Sequence, residues 1–183
     1  MLWVKLNLFA VIDRHQGRLI FLTYEPPKEA EATVMLVGKG VTYDTGGADL
    51  KVNGHMAGMS RDKCGAAAVA GFMKVWQIYA HDFLIGKCLR RDLNWAFFLQ
   101  VVSEIKPANL KVVAAMAMVR NSVGENSYVA DEVITSRSNL RVRIVNTDAE
   151  GRLAMADPLC QVSIFCISYF RGKIRSRGWN VYF

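Results

Sequence analysis

Two apolar runs near the start of the chain, "RLIFLTY" (18–24) and "TVMLVG" (33–38), are rich in β-formers and are separated by the proline-bearing "EPPKEAEA". Both read as strands. The second is almost continuously apolar, as expected of a strand covered on both faces. It runs into "GKGVTYDTGG" (38–47), whose four glycines predict a tight, backbone-exposing loop. The alanine-rich "CGAAAVAGFMKVW" from Cys64 predicts a buried helix, and "NLKVVAAMAMV" (109–119) a further buried strand. In "LRVRIVN" (140–146), Leu140, Val142 and Ile144 alternate with Arg141, Arg143 and Val145, which predicts a strand. "GRLAMADPLC" then reads as the start of a helix. Strands alternating with helices predict an α/β fold, a mixed sheet flanked by helices. Two stretches fit the pattern badly. One is "WQIYAHDFLIGKCLRRDLNWAFFLQ" (76–100), which keeps no period and mixes exposed-looking aromatics with charge, and the other is everything after Gln161.

The chain of 183 residues fits one domain, and 52% hydrophobic residues exclude a disordered chain. The net charge of +7 changes the picture less than it promises. The terminal "RGKIRSRGWNVYF" supplies +4 of it and contains no acid, which leaves an ordinary +3 elsewhere. No basic, aromatic-interleaved surface points to nucleic acid. Cys64, Cys88, Cys160 and Cys166 form no CxxC pair, so a reducing, cytoplasmic setting is the simpler expectation. The apolar run Leu6–Ile12 reaches Asp13 without a cleavage-site pattern, so no signal peptide is expected. The run 159–170 is shorter than the ~20 residues a spanning helix needs, so no membrane partner is expected.

Candidate chemistry concentrates in two segments. The glycine-rich loop carries Lys39, Asp44 and Lys51, with Asp62 soon after; "NTDAEGRL" (146–153) adds Asp148, Glu150 and Arg152. Both lie where α/β sheets place their sites, beyond the carboxyl ends of strands. Carboxylates from two distant segments suit hard or borderline divalent cations, and such oxygens can bridge two ions about 3.5–4 Å apart. Two dications beside a lysine depress its pKa and free its lone pair, while a lysine further off stays charged and can polarise a substrate oxygen. Each piece also has a plainer reading. "GKG" departs from a phosphate loop, because Gly40 follows Lys39 and Thr33 stands where the first glycine belongs. The single "DTG" (44–46) would need a second copy to act as an aspartic protease. Asp62 could cap the following helix. Cys64 reads as a small buried residue, Met56 and Met59 as core or pocket lining, and the scattered His15, His55 and His81 carry no ligand role.

Taken together, "VGKGVTYDTGG", Lys51, "MSRDKCGAA" and "NTDAEGRLAMADPL" resemble the catalytic domain of the leucyl aminopeptidases, the cytosol aminopeptidase (M17) family. More diffuse similarity extends over "RLIFLTYEP", "KPANLKVVAAMAMVRNSVG" and "YVADEVITSRS". The "YDTGG" form resembles an aminopeptidase-like subgroup. The resemblance implies a two-metal exopeptidase that removes leucine-type N-terminal residues from peptides. Lys39, Asp44, Asp62 and Glu150 would hold one ion, and Asp44, Asp148 and Glu150 the other, with Asp44 and Glu150 bridging. Lys51 would bind the substrate carbonyl and its oxyanion, Arg152 would anchor a bicarbonate acting as general base, and Met59 would line the side-chain pocket. The ions would be zinc or manganese, or magnesium, and the complete protein a homo-hexamer.

The chain is therefore expected to form a single partial catalytic domain, family-like over 16–75 and 101–161, with an atypical insertion at 76–100 and an unmatched tail at 162–183. The family has a further N-terminal domain, and its catalytic domain continues past "ADPL". Gln-Val-Ser at 161–163 and Phe-Phe-Leu-Gln at 97–100 are what in-frame splice-site sequences encode, so both odd segments read as translated intron, the alternative being a genuine surface insertion and a divergent tail. The alternative to an active aminopeptidase is an inactive member serving as a binding or assembly subunit.

Overall fold

The computed structural model describes residues 16–26, 29–81 and 110–170. The insertion beyond residue 81, the tail beyond 170 and the apolar run at 6–12 lie outside the described residues. Three strands make the main sheet: β1 (Arg18–Tyr24), β2 (Ala32–Asp44) and β3 (Leu110–Asn121), in the order β1-β3-β2. β3 pairs antiparallel with β1 and parallel with β2. Helix α1 (Cys64–His81) follows β2, and α2 (Glu150–Phe170) ends the described chain. Two short strands, β4 (Val133–Thr135) and β5 (Arg141–Arg143), form a separate antiparallel pair.

The period of two along each strand sorts the core onto two faces. On one face, Val112 and Ala114 of β3 pack with Met73 and Trp76 of α1, alongside Leu22 and Leu36. On the other, Ala117 and Val119 of β3 and Val41 of β2 pack with Tyr128, Ile144 and Ala154 of α2. The mixed sheet flanked by helices is the architecture read from the sequence.

Several details differ from that reading: α2 runs on to Phe170, past Gln161, and α1 is half-exposed, with Ala67 and Ala68 facing solvent and Ala66, Met73 and Trp76 facing the sheet. The "GKGVTYD" stretch is strand, not loop: β2 continues to Asp44. Gly38 and Gly40 have no positive φ and serve close approach; a Cβ on Gly38 would stand 2.7 Å from the Ala66 Cα of α1. The turn starts later, at Gly46 and Gly47, whose φ values of 89° and 69° favour glycine. Strand pairing around 140–146 is confined to Arg141–Arg143, in the hairpin with β4, not the main sheet. Ile144 is buried as its alternation predicts, but Leu140 is exposed because it lies at the hairpin turn. Trp76, the first aromatic of the stretch without a period, is not exposed. It is buried, stacks on Phe72 at 5.5 Å and meets Tyr24 edge-on, while α1 continues to His81.

Among the described residues, no helix is long and apolar enough to cross a membrane.

Candidate metal centre

The parallel neighbours β2 and β3 finish together, with Asp44 opposite Asn121 across an irregularity between Val41 and Asp44. Beyond this end the chain folds back on itself. Asp44 Oδ1 accepts a hydrogen bond from the Gly46 amide at 2.9 Å, and the Lys51 amide donates to Thr45 O at 2.9 Å. That return places Lys51 Nζ 3.1 Å from Asp44 Oδ2 and in an ion pair with Asp148.

"NTDAEGRL" docks onto this turn from the other side. Asn146 caps a 3-10 turn, Thr147–Ala149, its side chain accepting from the Asp148 amide at 2.6 Å. The buried Thr147 hydroxyl accepts from the Asp49 amide at 2.8 Å and donates to Gly46 O at 2.6 Å. Asp49 Oδ2 in turn accepts from the Thr147 amide at 2.6 Å. Residues about a hundred positions apart are thereby latched together, and α2 begins at once with the fully buried Glu150.

Glu150 Oε1 and Asp62 Oδ2 lie 3.0 Å and 2.7 Å from Lys39 Nζ. Gly151 makes the approach possible, since a Cβ there would come within 2.6 Å of Lys39 Cε. Asp44, Asp62 and Glu150 each offer a carboxylate oxygen within 4.8 Å of the others'. Burial pulls the Lys39 ammonium pKa down, and the close contact and opposite charge of Asp62 and Glu150 more than offset it, leaving Lys39 raised. Lys51 follows the same pattern with Asp148 and Asp44. Glu150 is pushed up by burial and by the charge of Asp44, against the pull of Lys39. Burial, then the charges of Glu150 and Asp44, raise Tyr128.

These residues suit divalent cations. Asp62 Oδ2 and Glu150 Oε1 are buried and accept no well-directed hydrogen bond; their contact with Lys39 is one of charge and distance. The Lys39 ammonium meets both oxygens, and hard oxygen donors gathered this closely also match hard divalent ions. A cleft of about 420 Å³ opens beside them, lined by Lys39, Asn146, Asp148, Ala149, Gly151, Arg152 and Met155.

The model of the cytosol aminopeptidase family, catalytic domain, matches residues 8–84 and 94–167. This chain belongs to that family. A Caenorhabditis elegans protein named as an aminopeptidase is 48% identical over 148 residues, covering 81% of this chain and 23% of that protein. A Campylobacter jejuni protein named as a cytosol aminopeptidase is 35% identical over 158 residues, covering 85% and 27%. The solved structure of a C. elegans leucine aminopeptidase superposes with a TM-score of 0.61 at 27% identity, over 87% of this chain and 27% of that one. The chain thus spans about a quarter of the length of these relatives.

Within the aminopeptidase framework, Lys39, Asp44, Asp62 and Glu150 converge as their motifs suggest. Asp148 stands outside the 4.8 Å carboxylate group and joins it through Lys51, which lies between Asp44 and Asp148. Arg152 lines the cleft with Lys39 and Asp148. Met59 opens the 3-10 turn Met59–Arg61 before Asp62 and does not line that cleft. Asp62 directs its carboxylate to Lys39. Cys64 is exposed rather than buried, its thiol donating to Arg61 O at 3.1 Å, because the helix start faces outward there.

Four residues at the centre escaped the sequence reading: Asn121, Thr147, Asp49 and Tyr128. A polar residue ending a buried strand is the signal that marks Asn121. Thr147 sits inside the acidic motif itself. Asp49 and Tyr128 carry no local signal, since their partners are 98 and 19 residues away.

Proposed function

We propose that this chain carries the two-cation centre of an aminopeptidase acting on N-terminal, leucine-type residues of peptides. The observation that supports it most is the convergence of Asp44, Asp62 and Glu150, whose carboxylate oxygens lie within 4.8 Å of one another. Lys39, Asp44, Asp62 and Glu150 would hold one divalent ion; Asp44, Asp148 and Glu150 would hold the other. Zinc, manganese or magnesium bound there would supply Lewis-acid polarisation of the scissile carbonyl and activation of water.

The chain's own side chains have separate tasks. The carboxylates by themselves keep Lys39 protonated, so its use as a lone-pair donor depends on positive charge brought to the site. Lys51, held between Asp44 and Asp148, donates hydrogen bonds to the substrate carbonyl oxygen as negative charge develops on it. Arg152 would hold a bicarbonate, which would supply a general base beside the site. Met59, which lies outside the cleft beside Lys39, would contact the N-terminal side chain from the 3-10 turn before Asp62. The complete protein assembles as a homo-hexamer in the cytoplasm.

Zinc or manganese titration, with release of leucine from a leucyl reporter, tests this reading. Metal binding with chelator-sensitive release supports it. Binding without release assigns the chain to a binding or assembly role instead. Chelator-insensitive cleavage inside peptides would replace both with an aspartic-type protease.

A further inference from the structure

One amide touches both carboxylates that the two-cation reading makes shared. Asn121 Nδ2 donates to Asp44 Oδ1 at 2.9 Å and to Glu150 Oε2 at 3.3 Å, with Thr147 O at 3.1 Å as a third acceptor. Two hydrogens serve three acceptors, so at least one is shared. A reversed amide would press an oxygen against two carboxylates, so electrostatics fixes which end carries the nitrogen. Asn121 is itself buried, and its backbone carbonyl accepts from Thr45 N and Thr45 Oγ1, both at 2.9 Å. Across from it, a Cβ on Gly47 would stand 2.9 Å from Asn121 Oδ1. The side chain is therefore confined from both ends.

This amide divides each carboxylate into two unlike oxygens. Asp44 Oδ1 is held by Asn121 and Gly46, which leaves Oδ2 towards Lys51. Glu150 Oε2 is held by Asn121, which leaves Oε1 towards Lys39. We propose that Asn121 is a positioning residue for the cation site, holding one oxygen of Asp44 and one of Glu150 so that the opposite oxygens face the ions. This rests on the two-cation reading. A shared donor also lets two buried anions lie side by side that would otherwise repel.

The test uses the full 183-residue chain, stripped with chelator and titrated calorimetrically with Zn²⁺ alone, with Co²⁺ visible absorption as a geometric readout. Partners that orient metal ligands typically contribute about 10–100-fold in affinity. Asn121→Ala is expected to weaken Zn²⁺ binding by about that factor and to alter the Co²⁺ spectrum. Asn121→Ser, whose hydroxyl can donate to one carboxylate at a time, is expected to fall between Ala and the parent, and it carries the comparison if the alanine variant does not fold. Val112→Ala, on the same strand but in the cluster against α1, is the control for instability alone and should bind as the parent does. Parent-like affinity and spectrum in the Asn121 variants, or an equal loss in Val112→Ala, would overturn the inference while leaving the two-cation reading standing. A parent chain that binds no Zn²⁺ would overturn both.

Discussion

Gly38→Ala should separate strand from helix at the point where the metal centre is assembled. The new Cβ would meet the Ala66 Cα at 2.7 Å, Gly65 O at 2.8 Å and Ala66 N at 2.9 Å. All three atoms are backbone, so no side-chain rotation can relieve the clash. Ordinary contact begins near 3.4 Å, so β2 and α1 must part by about 0.7 Å. Overpacking of this kind costs about 1–3 kcal/mol, and three simultaneous backbone contacts place it at the top of that range. Alanine's smaller unfolded-state entropy returns about 0.4–1 kcal/mol. The net loss should be about 2 kcal/mol. At a urea m-value of ~2 kcal/mol/M, the unfolding midpoint would drop by about 1 M. Gly71→Ala is the matched control: it lies within α1 with nothing within 4 Å of its added Cβ, so it should gain up to about 1 kcal/mol from helix propensity. Urea denaturation followed by far-ultraviolet circular dichroism measures both. An unchanged or raised midpoint for Gly38→Ala would refute the close-approach role.

Gly151→Ala meets the flexible end of Lys39, with its Nζ 3.0 Å from the new Cβ; stability should hold within about 0.5 kcal/mol while the affinity of one ion falls, as denaturation and Zn²⁺ titration would show. Thr147→Val keeps the shape but removes the hydroxyl that serves Asp49 N and Gly46 O, and should cost about 1–3 kcal/mol in chemical denaturation. The two lysines should separate: Lys39→Ala weakens one ion. Lys51→Ala retains both ions and slows leucyl-reporter turnover about 10²–10³-fold in a family-length enzyme; metal loss on Lys51→Ala alone would reverse the assignment.

The carboxylates were legible because their motifs fix both residue type and spacing. Lys39, Asp44, Asp62 and Glu150 meet where two short sequence patterns place them, and α2 starts directly after the acidic motif. The purpose of Gly38 was not legible. A glycine that lets a helix approach a strand looks, in sequence, like one that turns the chain, and its partners at 65–66 declare themselves only after packing. Asn121 was hidden for a related reason. A lone asparagine has no period, and its meaning arises from the parallel register that sets it opposite Asp44. The contrast between Leu140 and Ile144 marks the limit of alternation as a guide, because Leu140 lies at the hairpin turn while Ile144, hydrogen-bonded to Asp131 and Glu132, packs into the core beside β3.

If Asp44, Asp62, Asp148 and Glu150 hold divalent cations, the metal content of the folded chain depends on them. Elemental analysis of the folded chain, equilibrated with Zn²⁺ or Mn²⁺ and freed of excess metal, tests it most directly, beside the Glu150→Gln variant. Glutamine keeps the shape of the buried side chain and removes the charge that both ions would share. Two ions per parent chain and a clear loss in the variant are expected. Equal metal content in parent and variant, or none in either, would contradict the assignment.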